Sequence, residues 1–202
     1  ALALFLPEPE RSPEAEQFSW RALRVLTRPR SLVLLAYGGF YATVGYGIEI
    51  NMSPFYQSMG FGESALGSFG ALRNVGRAIG SLLLPLGALW LGRRGVLLVA
   101  ILGLSFAAMS QGTASGILWT GTLALVYGAA NGWADAQFYV LSMEASDPKM
   151  AATTYALFMA VSNVSVAGGA LFAALVTALG GNYPLAFLVA SCFVLLALPA
   201  IL

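Results

Sequence analysis

The stretch LLLPLGALWLGRRGVLLVAILGLSFAA, residues 82–108, joins two apolar runs through one basic pair, Arg93 and Arg94. Similar apolar runs recur along all 202 residues of the chain. They occupy six stretches, roughly 31–57, 64–91, 95–112, 116–145, 151–180 and 183–202. Each is close to or longer than the ~20 residues that an α-helix needs to cross a hydrocarbon core. The sequence therefore predicts an all-α polytopic membrane protein whose six transmembrane helices form one bundle.

Composition points to the same class of protein. Apolar residues make up 58% of the chain and charged residues 9%, whereas about 25% of residues are charged in a typical soluble domain. The net charge of +1 gives no basic field for nucleic acid. Without histidine, and with the single cysteine Cys192, the chain offers neither a usual zinc or haem site nor a Ser–His or Cys–His pair. We therefore expect no metal, no cofactor and no enzymatic activity.

The basic residues are distributed unevenly between the two ends of the predicted bundle. With six crossings, residues 1–30 share one side with the loops near 92–95 and 146–150. That side holds Arg11, Arg21, Arg24, Arg28, Arg30, Arg93, Arg94 and Lys149. The loops near 58–63, 113–115 and 180–183 hold no lysine or arginine. The positive-inside rule places residues 1–30 in the cytoplasm, and we expect the protein in the bacterial inner (plasma) membrane.

Residues 1–30 have the character of a connector. The segment 7–13 is acidic and proline-rich, which is typical of an exposed linker. Ser12 and Pro13 then provide an N-cap and a first helical residue for a short amphipathic helix on the membrane surface. The apolar segment 1–6 resembles the end of a membrane helix. We therefore expect further transmembrane chain upstream.

Four ionisable residues lie deep within the predicted spans, at Glu49, Arg73, Arg77 and Asp135. A charge at the centre of a membrane helix costs several kcal/mol, so it should face a cavity or a partner of opposite charge. Counted at about 1.5 Å of rise per residue, Glu49 and Arg73 can pair at one level. Arg77 lies one turn deeper, within reach of Asp135.

Two arginines one turn apart can bind an anionic group, because guanidinium binds carboxylate or phosphate bidentately. Structural salt bridges with the two carboxylates are the alternative for Arg73 and Arg77, and both roles can coexist. A carboxylate released by its arginine can take up a proton, so Glu49 and Asp135 are the proton-coupling candidates. The predicted substrate-binding set comprises Arg73, Arg77, Tyr46, Asn51, Asn131, Gln137 and Asn163.

The segment Gly87-Ala-Leu-Trp-Leu-Gly-Arg93-Arg94 resembles the Gly-x-Leu-x-Asp-x-x-Gly-Arg-Arg motif of the major facilitator superfamily. It keeps the glycines and the arginine pair, lacks the aspartate and is two residues shorter. The resemblance implies the C-terminal half of a twelve-helix carrier that works by alternating access, with residues 31–202 as helices seven to twelve. It also implies an N-terminal six-helix half as partner, and a gating loop with Gly87, Arg93 and Arg94.

Within that superfamily, Ala152-Thr153-Thr-Tyr-Ala156-Leu157 resembles the muropeptide permease and acetyl-coenzyme A transporter branch. The resemblance implies an anionic sugar- or nucleotide-like solute. The expected function is secondary active transport of a small polar or anionic solute, coupled to protons as a symport. The alternative is a six-helix membrane module that binds or assembles other proteins without transport.

Overall fold

The computed structural model describes residues 20–198, with the side chains from residue 24 onward except that of Lys149. Within this part of the chain all regular structure is helical. The α-helices are α1 (Pro29–Ser58), α2 (Glu63–Ser110), α3 (Ile117–Ala145), α4 (Ala151–Gly168), α5 (Ala170–Ala178) and α6 (Tyr183–Leu195). Short 3-10 helices cover Trp20–Thr27, Gln111–Thr113 and Pro148–Met150. Most of the predicted surface helix that starts at Ser12 lies outside the described residues.

The predicted loop between the second and third spans is reduced to one residue. Gly92 has non-helical φ and ψ angles of 64° and 177°, and α2 is helical on both sides of it. Such angles are accessible essentially to glycine alone. The expected connection over 92–95 is therefore a sharp break within α2. The arginine pair begins directly after the break.

The predicted fifth span, 151–180, is formed by two consecutive helices. Gly169 joins α4 to α5 with helical angles of −59° and −28°, so one apolar segment runs from Ala151 to Ala178. A side chain on Gly169 would contact the backbone of Gly47. Glycine at this position therefore lets α5 approach α1 closely.

Three segments of the described chain are long and apolar enough to cross a membrane, namely Pro29–Ser58, Glu63–Thr113 and Ala151–Ala178. This is fewer than the six spans predicted from the sequence. The second segment contains both predicted spans on either side of Gly92. Helix α3 is continuous, but polar residues such as Asn131 and Asp135 lower its mean hydropathy. Helix α6 is apolar but only 13 residues long. The all-α membrane class stands, whereas the number of crossings stays a prediction.

Glycines on both helices bring α2 and α3 together. On α3, a Cβ at Gly128 would clash with the carbonyl oxygen of Arg73, and one at Gly132 with that of Arg77. On α2, Gly76 and Gly80 lie equally close to the α3 backbone. Small residues allow such close approach between helices in lipid. The backbone positions of both arginines are thereby set by α3.

Candidate functional site: a chain of four charges

The four predicted intramembrane charges meet in one cluster. Nη2 of Arg73 lies 3.0 Å from Oε1 of Glu49. Nη2 of Arg77 lies 3.3 Å from Oε2 of Glu49, and its Nε lies 3.3 Å from Oδ2 of Asp135. The pairings predicted from depth along the helices are thus confirmed. The result is a charge chain, Arg73–Glu49–Arg77–Asp135, that connects α1, α2 and α3 and has no net charge.

Partial burial strengthens the ion pairs of this charge chain and makes the loss of any one partner costly. The side chains of Arg73, Glu49, Arg77 and Asp135 are 19%, 22%, 30% and 11% exposed. Water therefore screens these pairs less than pairs on a wetted surface. Removing one partner from such a group would leave an uncompensated charge. We therefore expect an ion pair of the cluster to separate only when another charged group takes the place of the departing partner.

Two polar atoms of the cluster lack hydrogen-bond partners among the described residues. They are Nε of Arg73, a donor, and Oδ1 of Asp135, an acceptor. A buried polar atom without a partner costs about 1–3 kcal/mol. Such atoms are uncommon in native proteins and each calls for an explanation. Within the described chain, the Nε of Arg73 thus leaves one donor without a partner at one end of the charge chain.

Tyr46 contributes an aromatic surface to the same cluster. The guanidinium carbon of Arg77 lies 5.8 Å from the centroid of the Tyr46 ring, a distance typical of a cation–π contact. Tyr46 precedes Glu49 by three residues on α1, so both side chains lie on one helix face. The predicted site residue Tyr46 is therefore placed directly against the predicted clamp.

The predicted amide side chains occupy different environments. Asn131 is buried, with Oδ1 packed 2.8 Å from where a Cβ on Gly45 would lie. Asn51 is buried and donates to the carbonyl of Gly47 at 2.7 Å. Gln137 is buried on α3, whereas Asn163 is exposed on α4. In the part of the chain that the structure describes, none of these four amides hydrogen-bonds to a residue of the charge chain, so their assignment to the site stays a prediction.

The predicted gating residues lie around the break in α2. A side chain on Gly87 would clash with the Trp133 ring, and Nε1 of Trp133 donates to the carbonyl of Val96 at 3.1 Å. Trp133 thus contacts α2 on both sides of Gly92. Nη2 of Arg93 lies 2.7 Å from Oε2 of Glu144 at the end of α3.

The partners of Trp133 and Glu144 do not follow from the sequence alone. The one available signal for Glu144 was its position near Arg93 and Arg94 at the predicted basic end of the bundle.

The helices and their intramembrane charges define an integral membrane protein. The sequence profile of the Major Facilitator Superfamily matches residues 1–170. The chain therefore belongs to the Major Facilitator Superfamily, a family of membrane transporters. No curated protein matches the chain.

Proposed function

We propose that this protein is a secondary active transporter that moves a small polar or anionic solute by alternating access, coupled to protons. Family membership supports transport as the class of function. The observation that carries the finer proposal is the charge chain, in which two carboxylates compensate two arginines within apolar helices. Ionisable residues in such segments typically mark substrate or proton pathways.

The geometry suggests how solute and proton could be exchanged. An anionic group that binds Arg73 and Arg77 would compete with the Glu49 carboxylate for the same nitrogen atoms. A carboxylate that loses both guanidinium partners in a poorly hydrated site favours its neutral form, so it takes up a proton. The solute's negative charge is then balanced by the proton. Asp135, which contacts only Arg77 in the charge chain, is the second proton carrier in this proposal.

The remaining parts of the proposal concern the complete carrier. We place the chain as the C-terminal half, with its site near the midplane against an N-terminal six-helix half. The segment 152–157, with its likeness to the muropeptide permease and acetyl-coenzyme A transporter branch, favours an anionic sugar- or nucleotide-like solute. Gly87, Arg93 and Arg94, on either side of the break in α2, would control access from the cytoplasmic side.

The first test is uptake of labelled solute by the full-length protein in proteoliposomes, with the internal pH followed by an enclosed dye, because one anion carried with one proton moves no net charge. Organic acids, sugar phosphates and nucleotides are applied in turn, with and without a pH gradient. We expect one of these classes to be taken up together with protons, and Arg77→Gln to abolish this uptake, because the clamp loses its central cation. Arg24→Gln, at an exposed arginine outside the cluster, is the matched control.

Two results would contradict the proposal. Transport by Arg77→Gln at wild-type rate and KM would exclude the clamp. Solute binding without labelled uptake or a change of internal pH would favour the alternative, a non-transporting binding or assembly module.

A further inference from the structure

A second feature lies at the end of the bundle where α1 begins and α3 ends. It is a cavity of about 440 Å³ that borders the break at Gly92. Arg30, Arg93, Arg94 and Glu144 form its charged wall, and Val33 and Leu97 belong to its apolar wall. The volume falls within the ~300–1,000 Å³ of typical ligand pockets. None of the four residues of the charge chain lines it.

The lining of this cavity carries an excess of positive charge. It contains three arginines and one glutamate. The Glu144 carboxylate is 2.7 Å from Arg93, so that pair is internally compensated. Arg30 and Arg94 form no ion pair with any residue that the structure describes. Among the described residues, two guanidinium groups therefore border the cavity without a compensating anion.

The other walls are apolar and partly exposed. Val33, Leu34, Leu97 and Leu141 provide aliphatic surface, and Val33 is 41% exposed. A fully hydrated anion gains nothing from contact with this apolar surface. An amphipathic anion can place its charged group on the arginines and its apolar part on the aliphatic wall. Basic pockets between membrane helices near the cytoplasmic face commonly accept anionic lipid headgroups.

We infer that this cavity binds one anionic phospholipid, with its phosphate on Arg30 and Arg94. Guanidinium groups suit this role because they contact phosphate oxygens bidentately. The glycerol and the first part of one acyl chain lie along Val33 and Leu97. This lipid site goes beyond the proposed transport function and does not depend on it.

Tyr37 lies between the lipid site and the charge chain. Its side chain lines the cavity, and its hydroxyl donates to the carbonyl of Ala134 at 3.1 Å. Ala134 directly precedes Asp135. Tyr37 therefore contacts both the cavity and the segment of α3 that carries Asp135.

Native mass spectrometry of the full-length protein in a mild detergent tests the inference. Phosphatidylglycerol and phosphatidylcholine with identical acyl chains are added in parallel. We expect one retained phosphatidylglycerol per chain and about tenfold weaker retention of phosphatidylcholine. The double variant Arg30→Gln/Arg94→Gln should lose that preference, whereas Arg24→Gln should keep it. Both substituted arginines are exposed, and an unchanged melting temperature verifies that the variant folds.

Two further arms distinguish the lipid from a soluble phosphate. Val33→Trp fills the apolar wall and should reduce phosphatidylglycerol retention while both guanidinium groups remain. Glycerol 3-phosphate at millimolar concentration should not compete with the lipid. Competition by glycerol 3-phosphate, or retention that does not change in the double variant or changes equally in Arg24→Gln, would overturn the assignment.

Discussion

At the scale of single residues, Glu49 determines how the charge chain can respond to a ligand. Each of its two carboxylate oxygens contacts a different arginine, at 3.0 and 3.3 Å. Both guanidinium groups are therefore compensated by the same carboxylate. An anionic solute that displaces the Glu49 carboxylate from both arginines leaves that carboxylate free to accept one proton. This arrangement makes Glu49, rather than Asp135, the residue whose charge should couple solute and proton most directly.

Replacement of Glu49 by Gln tests this coupling. We expect uptake driven by a pH gradient to fall about tenfold or more, equivalent to about 1.4 kcal/mol, since the amide cannot carry a proton. Exchange of labelled solute without a gradient should persist. Wild-type uptake should rise as the external pH falls, and uptake by Glu49→Gln should depend less steeply on pH, because Asp135 remains as the second proton carrier.

Glu63→Gln is the matched control, because Glu63 is an exposed glutamate at the start of α2. Retained pH-driven uptake in Glu49→Gln would assign the proton to another group. Loss of both uptake and exchange would indicate that the residue is needed to hold the arginines in place.

The aromatic contact beneath Arg77 offers a second prediction at this scale. Tyr46→Phe keeps the ring 5.8 Å from the guanidinium carbon, whereas Tyr46→Leu removes it. A cation–π contact contributes about 0.5–1 kcal/mol at an exposed site. We therefore expect KM for the solute to rise about two- to fivefold in Tyr46→Leu and to stay near wild type in Tyr46→Phe. Equal losses in both variants would instead show that the Tyr46 hydroxyl contacts the solute.

The charge chain was predictable from the sequence, but its surroundings were only partly so. The four-residue spacing of Arg73 and Arg77 places both on one helix face, and counting residues from the span ends gave the level of Glu49. No comparable spacing locates Asn163, which is exposed. The contacts of Trp133 could not be predicted either, because its hydrogen bond to the carbonyl of Val96 depends on how α2 turns at Gly92.

At the scale of helices, the pairing of α2 with α3 holds the arginines in position. Gly128 and Gly132 lie against the carbonyl oxygens of Arg73 and Arg77, so the register between the two helices and the position of the charges are set together. The abundance of glycine in the sequence indicated close packing, but which glycine meets which residue required the structure.

Gly132→Ala should separate the paired helices. The added methyl group would clash with the carbonyl oxygen of Arg77, and overpacking of this kind costs about 1–3 kcal/mol. Better helix propensity returns only about 0.5–1 kcal/mol. We expect a lower melting temperature in detergent together with reduced transport.

Gly103→Ala is the control, since a Cβ at this helical position meets nothing within 4 Å. Its melting temperature should stay the same or rise. A Gly132→Ala protein as stable as this control would show that α2 and α3 can separate without cost.

At the scale of the whole molecule, the charge chain and the basic end of the bundle form two separate ionic regions. The first lies within the apolar helices; the second includes Arg93–Glu144 at 2.7 Å and Arg28–Asp147 at 3.5 Å. The uneven distribution of arginine predicted this basic end, whereas the pairing of Arg93 with Glu144 required the path of the chain through Gly92. Since α1, α2 and α3 contribute to both regions, movement of these helices during transport would change both together.

The Arg93–Glu144 pair should therefore affect turnover more than stability. With side chains 73% and 48% exposed, the pair contributes at most about 1 kcal/mol, so Glu144→Gln should leave the melting temperature nearly unchanged. If the pair holds one conformation of the transport cycle, the same variant changes the turnover rate. The exchanged pair Arg93→Glu/Glu144→Arg should restore that rate, because it rebuilds the contact with reversed charges. Measuring labelled uptake and melting temperature on the same preparations separates the two effects. Two outcomes would contradict this role: a wild-type rate in Glu144→Gln, or a rate that the exchanged pair does not restore. Either would show that the ion pair itself does not control the transport cycle, and would leave control of access to Gly87 and the break at Gly92.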